Sequence, residues 1–150
     1  MIEILKMTRA HTDAVIAMMR VFYASDAVHT SGSERIFADD VAECVGESPY
    51  LEGYVFVSHA ANDIVLGYAM LAKSYSTEFG CPCIWIEDLY LKPEARGKGI
   101  ATQFCSFVAE RYAGAILRLE ADKTNASALA VYRKNGFEEM HYVEMKREAR

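Results

Sequence analysis

The stretch CIWIEDLYLKPEARGKGIATQFCSFVAERY, residues 83–112, decides how the rest of the chain is read. Its first nine residues are apolar apart from Glu87 and Asp88, and aromatic or β-branched at several positions, which is strand composition. From Gly97 to about Tyr112 the apolar residues recur with helical spacing. Between these parts, Arg96 precedes two glycines that flank Lys98. The first N–H groups of a helix lack partners and carry partial positive charge. Glycines let a ligand approach that backbone closely, and Arg96 and Lys98 add full charges. The turn is a phosphate cradle.

Three glycine-turn patterns compete for it. A P-loop needs glycine where Lys92 stands and Ser or Thr where Gly99 stands, so it fails twice. A dinucleotide fingerprint fits Gly97 and Gly99 but meets Thr102 where a third glycine belongs, and hairpins precede the turn. The pattern R-x-x-G-x-G/A is met by Arg96, Gly99 and Ala101. A glycine-rich strand–helix turn with no ligand remains an alternative for the motif taken alone.

Outward from this stretch, residues 2–7 (IEILKM) predict a first strand. A helix follows from about Thr8, with Ile16, Met18, Met19 and Phe22 among its apolar positions. DAVHTSGS (26–33) is a loop. Residues 34–47 predict a second helix with Ile36, Phe37, Val41 and Val45 on one face. Strands are expected over 54–60 and 64–76, joined at Asn62-Asp63, and over 83–91 and 115–121. A helix over 125–135 ends at Gly136, and FEEMHYVEMKR (137–147) predicts a last strand. Hairpins followed by a βαβ crossover imply an α/β (α+β) domain spanning residues 1–150. Its central sheet is mixed, mostly antiparallel, with about six strands flanked by four helices.

NASALAVYRKNGF (125–137) is the second constellation, with Asn125 at a helix start and Tyr132 seven residues on. Taken alone, Tyr132 on an apolar helix face suits a core position. Together with the glycine turn, the chain resembles the GNAT superfamily of acetyl-CoA-dependent N-acyltransferases over nearly its full length. The resemblance implies that Arg96, Gly97, Lys98, Gly99, Ile100 and Ala101 hold the coenzyme A pyrophosphate. It implies that Leu89, Tyr90 and Leu91 line the pantetheine arm, with the Leu89 N–H as oxyanion donor. Asn125 and Tyr132 complete the coenzyme site, and Tyr132 is the expected general acid.

Acetyl transfer to an amine also needs a group that takes the amine's proton. Glu87 and Asp88 are adjacent, so in a regular strand they face opposite ways. Glu87 shares parity with Leu89 and Leu91, and is the expected base; a bulge between them would change this. A salt-bridged or solvated pair is the structural alternative. The loop 22–32 is expected to wall the acceptor site, with Tyr23 and Asp26 as substrate contacts, although Ser25 or Asp26 also suits a helix cap. Tyr75, near a hairpin tip, is a further substrate candidate.

A net charge of −5 disfavours nucleic acid and favours cationic partners. No apolar run approaches the ~18 residues of a membrane span, and residues 1–10 do not resemble a signal peptide. No membrane partner and a cytoplasmic location are expected. Four cysteines include a C-x-C at Cys81 and Cys83, but no second ligand pair follows, so no metal is expected. The expected function is transfer of an acetyl group from acetyl-CoA to a primary amine. A small-molecule acceptor is favoured over a peptide lysine, with a homodimer left open. The alternative is a non-catalytic acyl-CoA sensor on the same fold.

Overall fold

A computed structural model describes residues 1–149. Five strands form one sheet in chain order: β1 (Ile2–Lys6), β2 (Leu51–Ser58), β3 (Ile64–Ser76), β4 (Cys81–Leu91) and β5 (Ile116–Leu119). The first four are antiparallel neighbours, and β5 joins β4 in parallel. That parallel pairing follows from the crossover through α3 (Ile100–Arg111), because a return through a helix reverses the chain twice.

The helices divide between the two faces. On α1 (Thr12–Tyr23), Val15, Met18 and Met19 are buried; on α2 (Glu34–Val45), Phe37, Val41 and Cys44 are buried. These i, i+3/i+4 stripes pack with Val55, Val57, Tyr68 and Met70 in one core. Ser33 starts α2 by accepting the Ile36 N–H, as a helix N-cap does. On the other face, Ile100, Phe104 and Val108 of α3 pack with Tyr54, Phe56, Ala69 and Leu71. Alternate residues of β2 and β3 therefore serve opposite cores, so the middle strands read as continuous apolar runs. The last helix, α4 (Ala126–Lys134), lies beside α3, and Phe137 just beyond it packs on this second core.

Glu52 on β2 anchors the far end of α3. It is only 6% exposed. It accepts hydrogen bonds from the Tyr54 hydroxyl (2.8 Å), the Tyr112 hydroxyl (2.5 Å) and the Arg111 guanidinium (3.4 Å). Burial alone would raise its pKa, but the hydrogen bonds from Tyr112, Tyr54 and Arg111 outweigh it and hold the carboxyl at about 2. A depressed carboxylate pKa contributes stability above the unfolded value near 4.5 that is lost as pH falls toward 2. Glu52→Gln is expected to cost roughly 1–3 kcal/mol at pH 7, the scale of a disrupted buried hydrogen-bond network. The gap to the parent should close between about pH 4.5 and 2. Thermal melts of both proteins across that range check it, and a gap that does not change with pH would remove Glu52 from the account.

The expected elements form with shifted bounds, except for the last strand; the helix expected from about Thr8, for instance, begins at Thr12 after a 3-10 turn over Arg9–His11. The strand expected from residue 54 begins at Leu51. The helix expected from Gly97 begins at Ile100, because Gly97 and Gly99 have φ of +71° and +78°, outside the helical region. The sheet has five strands rather than about six: residues 138–149, most of the expected last strand, take no regular secondary structure. Among the described residues, no helix is long and apolar enough to cross a membrane.

Candidate active site

The site begins where β4 leaves β5. Pairing between them covers only Cys83–Ile86 with Ile116–Leu119. Beyond Ile86, β4 runs on to Leu91 with its β5-facing edge unpaired, while its other edge stays bonded to β3. Backbone N–H and C=O groups of residues 87–91 on that edge are thus free for a ligand, since a strand edge is a ready template for an extended partner.

A bulge marks the departure point. Met70 pairs with Asp88 and Leu71 with Ile86, so Glu87 is the extra residue on β4. A bulge puts two residues of one strand against one of the other and re-aims the side chains that follow. Ile84 and Ile86 belong to the α3 core, and after the bulge so do Leu89 and Leu91, with Asp88 and Tyr90 turned to the α1–α2 face. The simple parity of Glu87 with Leu89 and Leu91 therefore does not hold across this point. Asp88 is 5% exposed and accepts from the Tyr68 hydroxyl at 2.7 Å and the Tyr23 hydroxyl at 3.1 Å. Glu87 remains exposed.

Three carboxylates at this end of the strand, Asp88, Glu87 and Asp40, have raised pKa values. Burial raises the pKa of Asp88, partly offset by the Tyr68 and Tyr23 hydrogen bonds. Burial, then the charges of Asp88 and Glu144, raise that of Glu87. Asp40 on α2 is pushed up to about 6 by burial, then by Asp88, Asp39 and Glu87. Asp40 was not singled out from the sequence. Its signal was there: it sits three residues after Phe37 and four before Cys44, on the buried side of α2.

Beside the free edge lies a cleft of about 450 Å³. Leu89, Tyr90 and Leu91 form one wall; Arg96, Gly97, Gly99, Ile100 and Ala101 form the floor at the start of α3. Asn125, Ser127, Ala128, Val131 and Tyr132 of the α4 region form the opposite wall, and Phe22, Ser25 and Ala27 close one side. Of the residues expected to hold the coenzyme, Lys98 alone is not in the lining. At Gly97 and Gly99 an added Cβ would meet nothing within 4 Å, so the glycines answer to backbone conformation and the turn is open in front. Gly99 offers no side-chain cap, which leaves the first N–H groups of α3 available. The Arg96 side chain turns back: its Nε donates to the Leu91 carbonyl at 3.0 Å, and the guanidinium stands 5.9 Å from the Tyr90 ring centroid. It braces the turn against the end of β4.

Asn125 caps α4 by accepting the Ala128 N–H at 3.3 Å. Seven residues on, the Tyr132 ring packs edge-to-face on Phe137, centroids 5.8 Å apart. Burial, and to a lesser degree Cys105, push its phenol up to about 12. It therefore keeps its proton across the physiological range. Tyr23 stands over Asp88, as described. Asp26 is exposed, between cleft-lining Ser25 and Ala27. Tyr75 is not brought to the cleft: it pairs with Pro82, five residues along β3 from Met70, about 17 Å at strand rise. His29, exposed on the same loop as Asp26, reaches Asp122 at 2.6 Å and ties that loop to the one before α4. Among the described residues, no group of three or more His, Cys, Asp or Glu is placed to hold a metal ion.

Comparison with known proteins bears on this cleft. Residues 15–137 match the model of the acetyltransferase (GNAT) family. Bos taurus thialysine N-epsilon-acetyltransferase is 33% identical over 107 residues, covering 66% of this chain and 62% of that protein. A possible acetyltransferase from Clostridium difficile 630 superposes with a TM-score of 0.80 at 19% identity, covering 99% of this chain and 97% of the other. AAC(6')-Iy, solved in complex with the bisubstrate analogue CoA-S-monomethyl-acetylneamine, superposes at 0.78 with 18% identity over 99% of both chains. Ribosomal-protein-alanine N-acetyltransferase from Brucella melitensis biovar Abortus 2308 gives 0.75 at 14% identity over 99% and 100%.

Proposed function

The chain belongs to the acetyltransferase (GNAT) family, and we propose that it moves the acetyl group of acetyl-CoA directly to a primary amine, in first place that of a small molecule. The observation that carries this is the splay of β4 from β5, opening a strand edge onto a cleft floored by an uncapped helix start. Arg96 to Ala101 would hold the pyrophosphate through backbone N–H groups, as an uncapped helix start holds an anion. The free edge at Leu89 to Leu91 would pair with the amide-bearing arm, with the Leu89 N–H directed at the developing oxyanion. The coenzyme supplies an activated acyl group. The C–N bond forms as the C–S bond breaks, the amine loses one proton, and the departing thiolate takes one.

Glu87 is the proposed base and Tyr132 the proposed acid. The Glu87 side chain reaches solvent, but its carboxyl is partly desolvated by the protein around it, and this first, then the charges of Asp88 and Glu144, make it more basic than an ordinary carboxylate. Asp88 is committed to two tyrosine hydroxyls, which suits a supporting role. Tyr23, Asp26 and Asp40 are the proposed neighbours of the acceptor, and the carboxylates of this end favour a cationic one. The 33% relative is named for an amine acceptor, and AAC(6')-Iy was solved with a coenzyme-linked amine analogue, which agrees with this class.

The test is Gly99→Asp. Aspartate at φ +78° is strained and adds a negative charge where the phosphates would lie. Acetyl-CoA affinity by calorimetry should fall at least about tenfold, which is ~1.4 kcal/mol, while circular dichroism stays that of the parent. Unchanged affinity would remove the turn from the coenzyme site.

A further inference from the structure

Beyond the bulge, β4 is held from one side only: its β3 edge is bonded and its other edge is free. The ladder alone fixes a peptide group there poorly, because a bulge locally disrupts pairing. One side chain supplies a second restraint. Asp88 is the first residue after the bulge and is 5% exposed. Its Oδ2 accepts from the Tyr68 hydroxyl at 2.7 Å and its Oδ1 from the Tyr23 hydroxyl at 3.1 Å. The two donors come from different elements. Tyr68 lies on β3, diagonal to Asp88 across the ladder, and Tyr23 is the last residue of α1. The phenols are themselves held in place. The Tyr23 ring centroid is 5.2 Å from that of Phe37 and 5.6 Å from that of Phe22, and Tyr68 stands 6.1 Å from Tyr90. Gly32, at φ +64°, lets the following loop close on this group: an added Cβ would stand 2.5 Å from Phe37 Cε1 and 3.2 Å from Tyr23 Cδ1. Burial first, then the charge of Asp88, raise the pKa of both phenols, so they keep their protons and donate.

Stability does not account for this arrangement. Among the described residues, the groups that bear on the Asp88 carboxyl are these two hydroxyls, with no cation. Burying a carboxyl is costly, and apolar residues of similar shape often pack in place of a buried polar group without loss. The arrangement does have a consequence for the backbone. Fixing both carboxyl oxygens fixes the direction of the Asp88 Cα–Cβ bond, and with it the peptide group that joins Asp88 to Leu89. We propose that Tyr68 and Tyr23 are positioning residues, which through Asp88 aim the Leu89 N–H at the thioester carbonyl. The proposal rests on the coenzyme lying along the free edge of β4. An oxyanion donor acts only where it already stands within about 3 Å of the developing charge, and a misplacement of about 1 Å costs on the order of 10²-fold in rate. On a strand bonded along one edge, that accuracy comes from a carboxyl gripped from the sheet and from α1 at once.

The test reads the carbonyl of bound acetyl-CoA with no amine present, so a role of Tyr23 in seating the acceptor does not enter. Tyr68→Phe and Tyr23→Phe each remove one oxygen. Isotope-edited infrared spectra of acetyl-CoA carrying heavy carbon at the thioester carbonyl should show, in the parent, a band lower in frequency and narrower than that of the free coenzyme. In both variants the band should move back toward the free position and broaden, further in Tyr68→Phe, which loses the shorter bond. Calorimetric affinity for acetyl-CoA should stay nearly that of the parent, because the glycine turn is untouched. In turnover, kcat should fall about tenfold, short of the roughly 10²–10³ for losing a donor outright, with little change in KM for acetyl-CoA. A band that is unmoved in both variants overturns the proposal even where melting temperature falls, and leaves the tyrosines as structural support. A parent that binds acetyl-CoA with an unshifted band also overturns it, while the coenzyme keeps its cleft. A parent that binds no acetyl-CoA removes the cleft reading and this proposal together. Should Tyr68→Phe fail to fold, Tyr23→Phe decides alone.

Discussion

Tyr132→Phe is expected to lower kcat by about 10²–10⁴, the usual range for loss of a general acid, and to leave acetyl-CoA binding nearly unchanged. The substitution removes one oxygen. The ring keeps its edge-to-face contact with Phe137 and its place in the cleft wall. Burial pushes the phenol up to about 12, so the proton is present at every pH where the protein is assayed. A thiol has a reference pKa near 8.5, so its departing thiolate is a poor match for a free phenol in water. The proposed delivery relies on the cleft, where a departing thiolate would be desolvated and more basic. The loss should appear in kcat with little change in KM for acetyl-CoA, the pattern of an interaction made during the reaction. Pre-steady-state thiol release separates chemistry from product release. A kcat within about threefold of the parent in a chemistry-limited assay would assign the proton to another donor, water included.

Much of this site is visible in one dimension because its parts are local. A strand running into R-x-x-G-x-G/A and a helix start are contiguous in sequence, and a cap with a tyrosine seven residues later falls on one helix. The cleft lining contains nearly all of the residues expected from these motifs. What the sequence hides depends on register. The bulge at Glu87 exists because β3 and β4 pair with one residue of mismatch, and nothing within IWIEDLYL marks which residue is extra. Alternation alone would set Glu87 and Asp88 on opposite faces, whereas the pairing turns Asp88 under Tyr23 and Tyr68. Tyr75 is near in the chain to the strand that carries the site, yet a straight strand carries it away. The tail shows the converse. Its residues predict a strand, but strand propensity expresses fit to a neighbouring edge, and residues 138–149 form no ladder with one.

Glu87 and Asp88 are told apart by pH. An amine of pKa ~10.4 is neutral in about one molecule in 2,500 at pH 7, equivalent to roughly 4.6 kcal/mol. A base that takes the proton at the site removes much of that barrier. Glu87→Gln keeps size and hydrogen-bonding capacity but not basicity, so kcat/KM at pH 7 should fall about 10²-fold or more. The deficit should shrink as pH rises toward the amine pKa and free base becomes abundant. In the parent, the acid limb of kcat/KM should lie above the ordinary carboxylate range, because burial, Asp88 and Glu144 all raise the Glu87 pKa. That limb should vanish in Glu87→Gln. Asp88→Asn acts differently. It replaces a buried acceptor of two hydroxyls and should cost roughly 1–3 kcal/mol of stability, with a smaller rate loss that is the same at every pH. Profiles of both variants on one good amine decide the matter. If Asp88→Asn carries the pH-dependent loss, the tyrosine-held carboxylate is the base and Glu87 supports the bulge. If neither does, the amine reaches the cleft already neutral, and both carboxylates serve to draw and seat a cation.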